Sequence, residues 1–152
     1  MSKVTVFGAG AWGSTLAQVL SDAGNEVLLW GRSEDVVNEI NESRTNKKYL
    51  GGYQLPTSIT ATTNLDEAFN FTSIYILAIP SQQLRKTLEG WKSRFSDGSL
   101  IISTLKGIEV SSQLRMTEVI QEILGSQKLA LITGPNLSDE LILRQPAGAV
   151  AA

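Results

Sequence analysis

A Gly-x-Gly-x-x-Gly pattern at residues 8–13 constrains the fold of this chain more than any other feature of its sequence. The pattern directly follows the β-branched run at residues 4–7, and apolar residues at helical spacing come after it. In such a segment Gly8 permits a tight turn, Gly10 lets a ligand approach the backbone, and Gly13 lets the helix pack closely on the strand. The sequence therefore predicts a strand, a tight turn and a helix that begins at the turn.

The first turn of that helix is suited to a phosphate group. Its N–H groups have no partner within the helix, and the helix dipole favours negative charge there. A loop of this kind, between a strand and a helix, binds the pyrophosphate of a dinucleotide. A tight turn without a ligand and the adenosine site of a methyltransferase are the alternatives. We expect the cofactor to contact Gly8, Gly10, Ala11, Trp12 and Gly13.

Short apolar runs alternate with helical patterns along the rest of the chain, which is typical of a doubly wound α/β fold. We therefore predict a Rossmann-type, mostly parallel sheet with helices on both faces. Residues 43–56 are predicted to form a long loop, and residues 147–152 to begin a buried strand that further chain would follow. Further strands are predicted at residues 27–30, 59–62, 74–79, 100–103 and 129–132, and helices at about 11–23, from Ser33, from Asn64, around 84–88 after a Ser81 cap, from Ser111 or Ser112, and near 137–143.

Composition narrows the chemistry that this chain can perform. Its 152 residues correspond to one domain. The chain has no histidine and no cysteine, which excludes Ser-His-Asp and Cys-His mechanisms and removes the usual zinc ligands. Its net charge of -2 argues against nucleic acid as a partner. No apolar run is long enough to cross a membrane, so we expect a cytoplasmic protein without a metal site.

The end of the second predicted strand bears on the choice of cofactor. NAD-specific domains usually place Asp or Glu about 20 residues past the glycine loop, where the carboxylate binds the ribose hydroxyls. This chain has Trp30-Gly31-Arg32-Ser33 at that point. Arg32 can pair with a 2′-phosphate or stack on the adenine, although it can also be an exposed arginine at the start of a helix. We expect NADP to be favoured and NAD to be tolerated.

Five segments of the chain form an ordered set: 8–13 with 30–32, Asn-Lys-Lys-Tyr-Leu at 46–50, Leu-Ala-Ile-Pro-Ser at 77–81, Thr-Leu-Lys-Gly-Ile-Glu at 104–109 and Gly-Pro-Asn-Leu-Ser at 134–138. Together they resemble the NAD(P)-dependent glycerol-3-phosphate dehydrogenases. The resemblance covers residues 1–152 as the cofactor-binding domain and implies that the family's C-terminal helical substrate domain, with its catalytic lysine, is absent from this chain. It implies that the full-length enzyme, for which we expect a homodimer, reduces dihydroxyacetone phosphate to sn-glycerol 3-phosphate for phospholipid synthesis, and that this fragment alone is inactive.

The resemblance also implies roles for individual residues. Asn136 and Ser138 depart from the Ser or Thr and the Ala of most bacterial members. Asn at position 136 can form hydrogen bonds as Ser or Thr can, so the site is altered in detail but not abolished. The implied contacts are Ala11 and Trp12 on the pyrophosphate, Arg32 at the adenosine, Tyr49 near the cofactor, Pro80 below the nicotinamide ribose, Lys106 on nicotinamide and substrate, Gly134 and Asn136 on the substrate, and Ser138 on the cofactor amide.

Lys106 also stands out without the resemblance. It lies just past the predicted fifth strand, at the sheet edge where open α/β proteins bind ligands, and Gly107 beside it allows close approach. A lysine there can hold a substrate oxygen and stabilise the negative charge that develops on it. The alternative is a solvated loop lysine. Two other functions stay open, namely a dehydrogenase of the 6-phosphogluconate or 3-hydroxyacid type and a non-catalytic NAD(P)-sensing module.

Overall fold

The computed structural model describes residues 1–125 and 127–152. Within these ranges the strands are β1 (Lys3–Phe7), β2 (Glu26–Trp30), β3 (Ile59–Thr62), β4 (Ile74–Leu77), β5 (Leu100–Ser103), β6 (Lys128–Thr133) and β7 (Val150–Ala151). They form one sheet with the order β3-β2-β1-β4-β5-β6-β7. Neighbouring strands are parallel from β3 to β6, and β7 is antiparallel to β6. The predicted Rossmann-type fold is confirmed.

The helices among the described residues are α1 (Ala11–Asp22), α2 (Glu34–Ser43), α3 (Lys47–Leu50), α4 (Leu65–Asn70), α5 (Leu84–Trp91), α6 (Met116–Leu124) and α7 (Ser138–Ile142). They cover both faces of the sheet. Successive strand residues point to opposite faces, so each face carries apolar side chains for the helices to bury. In β1, Val6 belongs to one core cluster with residues of α1, α2 and α7, whereas Phe7 belongs to the other with residues of α4, α5 and α6. Both side chains are fully buried.

An aromatic cluster fills the core beneath α4 and α5. Phe7 lies at its centre, 4.8 Å from the ring of Phe69 and 4.8 Å from that of Trp91. Trp30 meets Trp91 edge-on at 5.1 Å, and Phe95 packs on Phe69 in the same way. Such tilted and edge-on contacts suit the ring quadrupoles. The cluster fixes the carboxyl ends of β1 and β2, from which the glycine loop and Arg32 emerge.

Four local predictions are wrong. Residues 43–56 are not simply a loop, because α3 forms there on a buried Asn46 whose carbonyl accepts from the N–H of Leu50. The helix expected from Ser111 or Ser112 begins at Met116, since the Ser112 hydroxyl donates to Glu109 instead. Ser81 makes no capping bond and starts a short 3-10 turn. The C-terminal strand is only Val150–Ala151, and it is exposed at the sheet edge.

No helix among the described residues is long and apolar enough to cross a membrane.

Candidate functional site

A cleft of about 1300 Å³ lies at the carboxyl ends of the central strands. Its walls come from the segments after β1, β2, β4 and β5. The connection from β1 leads to β2 on one side, whereas β4 lies on the other side of β1, so strand order reverses between β1 and β4. Open α/β sheets bind their ligands in the crevice at such a reversal. The site predicted from the glycine pattern therefore lies where the topology creates a crevice.

The three glycines of the loop have different surroundings. Gly8 has φ +124°, and a Cβ there would lie 2.3 Å from the carbonyl oxygen of Ala78. A Cβ on Gly13 would lie 1.7 Å from the carbonyl oxygen of Gly8. Gly10 lines the cleft, and a Cβ there would meet no atom within 4 Å. Gly8 and Gly13 thus allow close backbone packing, whereas Gly10 leaves the loop open towards the cleft.

The amino end of α1 has the features of an anion site. Gly10 is its N-cap, no side chain caps it, and its first turn carries no acidic residue. The N–H groups of Ala11, Trp12 and Gly13 therefore have no partner within the helix. Their dipoles and that of the helix favour a negatively charged group. Because the helix is 12 residues long and starts at the cleft wall, it fits a diphosphate.

Two side chains that sequence reasoning did not assign hold this loop in place. The fully buried Asn46 donates through Nδ2 to the carbonyl of Ala9 at 3.1 Å and to the hydroxyl of Ser14 at 2.9 Å. Thr104 accepts from Trp12 Nε1 at 3.0 Å and donates to the carbonyl of Leu77 at 2.8 Å. Asn46 and Thr104 both stand in segments that resemble the family, which is the signal that could have found them.

Cationic side chains surround the cleft. Arg32, Lys48, Lys86, Arg94 and Lys106 line it, and no carboxylate is among its described lining residues. Of these five, only Arg94 forms an ion pair within the described part of the chain, with Asp66. The lining is therefore strongly positive although the whole chain carries a net charge of -2. This charge distribution suits an anionic ligand.

Lys106 connects the cleft to the turn after β6. Its Nζ donates to the carbonyl oxygen of Gly134 at 2.8 Å. Asn136 folds back on Gly134, since a Cβ on Gly134 would lie 2.8 Å from its Nδ2. The Oδ1 of Asn136 is buried and has no hydrogen-bond partner among the described residues. The structure thus brings Lys106, Gly134 and Asn136 together, as the resemblance implied.

The predicted site residues divide into two groups by position. Gly13, which is buried, and Ser138, which begins α7, are not among the lining residues of the cleft. Trp91 is buried in the aromatic cluster and also touches the cleft. The predicted residues that line the cleft are Gly8, Gly10, Ala11, Trp12, Arg32, Tyr49, Pro80 and Lys106.

Comparisons with a family model and with known proteins point to the same family. The family model described as the NAD-dependent glycerol-3-phosphate dehydrogenase N-terminus matches residues 3–152. A glycerol-3-phosphate dehydrogenase [NAD(P)+] of Corynebacterium jeikeium is 44% identical over 154 residues, which cover 100% of this chain and 46% of that protein. The corresponding protein of Corynebacterium diphtheriae is 47% identical, and the match covers 99% of this chain and 46% of that protein.

Solved structures agree with this result. Glycerol-3-phosphate dehydrogenase from Coxiella burnetii superimposes with a TM-score of 0.90 at 28% identity, covering 98% of this chain and 46% of that chain. A putative F420-dependent NADP-reductase from Arthrobacter shares the fold alone, with a TM-score of 0.67 at 16% identity. The chain spans about half the length of the curated relatives it matches. It belongs to the family of NAD-dependent glycerol-3-phosphate dehydrogenase N-terminal domains.

Proposed function

We propose that this domain binds NAD(P)H in the cleft and that the full-length protein reduces dihydroxyacetone phosphate to sn-glycerol 3-phosphate. The observation that carries this proposal is the uncapped amino end of α1, which opens onto a cleft lined by five cationic side chains and no described carboxylate. A dinucleotide has a diphosphate for the helix end and further polar groups for the cations. The names of the relatives supply glycerol 3-phosphate, and the resemblance supplies dihydroxyacetone phosphate as its oxidised partner.

Different residues of the cleft would bind different parts of the cofactor. The N–H groups of Ala11, Trp12 and Gly13 would hold the pyrophosphate, and Arg32 would lie at the adenosine. When bound, the nicotinamide would supply the hydride for the reduction. The segment at Ala78 to Pro80 lines the cleft beside the loop and would keep water from that ring.

Lys106, Gly134 and Asn136 would bind the substrate. A cationic Nζ near the carbonyl oxygen of dihydroxyacetone phosphate stabilises the negative charge that develops there. The buried Asn136 Oδ1 lacks a partner in the described part of the chain and can accept a hydrogen bond from a substrate hydroxyl. The resemblance assigns the proton donor to a lysine of the second domain. Contact of Ser138 with the cofactor, a homodimer and a cytoplasmic location stay predictions.

Activity of the full-length protein tests the proposal. We expect oxidation of NADH or NADPH when dihydroxyacetone phosphate is added, and little or no turnover by the 152-residue chain, which should still bind the cofactor. Full-length protein that binds the cofactor without redox activity would favour the NAD(P)-sensing module. Robust turnover by residues 1–152 would contradict the assignment of the proton donor to a second domain. Preferential reduction of a keto acid over dihydroxyacetone phosphate would contradict the proposed substrate.

A further inference from the structure

The segment of residues 104–115, which we call the Lys106 loop, joins β5 to α6 and has little regular structure. Apolar packing does not fix its middle, because Ile108 and Val110 are 56% and 81% exposed. Gly107 has φ +97°, so the backbone beside Lys106 adopts a conformation that residues other than glycine rarely take. Polar contacts must therefore define where the loop lies.

A nearly buried ion pair makes the first of these contacts. Glu109, in the loop, is 5% exposed. Its carboxylate accepts from Arg85 Nε at 3.0 and 3.1 Å and from Arg85 Nη2 at 2.9 Å, and also from the Ser112 hydroxyl. Arg85 belongs to α5, so the pair ties the loop to a helix that packs in the core. The hydrogen bonds from Arg85, and then that from Ser112, hold the pKa of Glu109 below its ordinary value and so favour the charged carboxylate.

A second contact is a pair of hydrogen bonds between the Gln82 side chain and the loop backbone. The side-chain amide of Gln82 donates from Nε2 to the carbonyl of Ile108 at 2.9 Å, and its Oε1 accepts from the N–H of Val110 at 3.1 Å. This pairing resembles that of a neighbouring strand, and it comes from the 3-10 turn just before α5. Gln82 and Arg85 thus attach residues 108–110 to the same short stretch of chain.

Lys106 lies between two fixed points. On one side the Thr104 hydroxyl is bonded to Leu77 and Trp12, and on the other Glu109 is bonded to Arg85. We propose that Gln82, Arg85 and Glu109 are positioning residues that hold the Lys106 loop so that the Lys106 ammonium stays at Gly134 and the substrate site. What Lys106 does there rests on the proposed function; the positioning itself rests on the contacts.

Two variants and one matched control test the positioning in the full-length protein. Glu109→Gln removes the charge from the loop end of the pair, and Gln82→Met removes both backbone contacts at an exposed position. Glu122→Gln is the control, because Glu122 also binds the Arg85 guanidinium, through Nη1 and Nη2, but forms no hydrogen bond with residues 104–115. Hydrogen–deuterium exchange of peptides covering residues 104–115, without cofactor, is the first measurement. We expect exchange about tenfold faster in the first two variants, confined to the loop, and unchanged in the control.

Kinetics provide the second measurement. We expect Gln82→Met and Glu109→Gln to lower kcat/KM for dihydroxyacetone phosphate about tenfold to a hundredfold, because small misplacement of a contact group is costly. In a Lys106→Ala background the same changes should have an effect of less than about twofold, since both act through that side chain. If Glu109→Gln does not fold, Gln82→Met decides alone.

The outcomes separate the two proposals. Unchanged loop exchange, or equal losses of kcat/KM with and without Lys106, overturns the positioning. If wild-type protein does not reduce dihydroxyacetone phosphate, the proposed function fails, and the exchange data still judge the positioning. An active wild type whose Gln82→Met and Glu109→Gln variants keep full activity leaves the function standing and overturns this inference.

Discussion

Adding a single methyl group at Gly10 or at Gly13 separates the two functions of the glycine loop. At Gly13 the new Cβ would lie 1.7 Å from a backbone oxygen, so helix α1 must shift. We expect Gly13→Ala to lower the free energy of unfolding by about 3 kcal/mol. At Gly10 the Cβ meets nothing, and Gly10→Ala should change stability by less than about 1 kcal/mol.

Although Gly10→Ala should change stability little, it should weaken cofactor binding. Its Cβ would occupy the space through which a pyrophosphate reaches the α1 amides, so Gly10→Ala should weaken NADH binding at least about tenfold, or 1.4 kcal/mol. Urea denaturation and calorimetric titration of the two variants measure both effects. A stable Gly10→Ala variant with unchanged affinity would show that the diphosphate does not lie at this loop.

At the scale of whole elements, the sequence predicted the parallel strands and their helices because each carries a clear pattern of its own. Leu100–Ser103 and Ile59–Thr62 are predicted and observed with the same bounds. Asn64 caps α4 as expected, accepting from the N–H groups of Asp66 and Glu67. The start of α6 was predicted wrongly because a local preference of serine for N-caps was outweighed by the distant Arg85–Glu109 pair, which engages Ser112.

The observed start of α6 has its own pH dependence. Glu118 accepts from the Arg115 N–H and from its guanidinium, both at 2.8 Å, and these hydrogen bonds lower the pKa of Glu118 from 4.5 to about 2. A lowered pKa stabilises the folded state above pH 4.5, and that contribution is lost as the pH falls towards 2. Glu118→Gln should therefore destabilise the protein at neutral pH but not near pH 2. Urea denaturation across this range, with an NMR titration of the carboxyl, measures it; a Glu118 inflection near 4.5 would contradict the prediction.

For the molecule as a whole, the sequence located the phosphate loop, Arg32 and Lys106 because each directly follows a predicted strand. It could not locate Lys86 or Arg94 in the site, since these come from other elements and only the fold brings them to the same cleft. Lys48 stands beside Tyr49 in a segment that resembles the family, but that segment alone does not indicate that the Lys48 side chain faces the cleft. The hydrogen bonds of Asn46 could not be predicted for a similar reason, because its partners are 32 and 37 residues away in the chain. The charge asymmetry between cleft and surface is thus a property of the tertiary structure.

That asymmetry predicts how the two cofactors should differ. NADPH carries an additional phosphate, so the positive cleft should bind it more strongly than NADH at low salt, and the advantage should shrink as salt screens the charges. We expect Arg32→Ala to weaken NADPH binding selectively, at least about tenfold, if its guanidinium pairs with the 2′-phosphate. Equal losses for both cofactors would instead indicate that Arg32 stacks on the adenine.

Lys86 and Lys92 provide a matched pair for the contribution of the cleft as a whole. Lys86 lines the cleft on α5, whereas Lys92 follows the same helix and lies outside the lining. Lys86→Gln should weaken NADPH binding about threefold to tenfold and flatten its salt dependence, because one cation is removed from the site. Lys92→Gln, which changes the net charge equally, should alter the affinity less than about twofold. Calorimetry with NADPH at low and physiological salt checks both variants. Equal effects of the two substitutions would mean that only the overall charge matters, and that the cations of the cleft do not act as a local field on the cofactor.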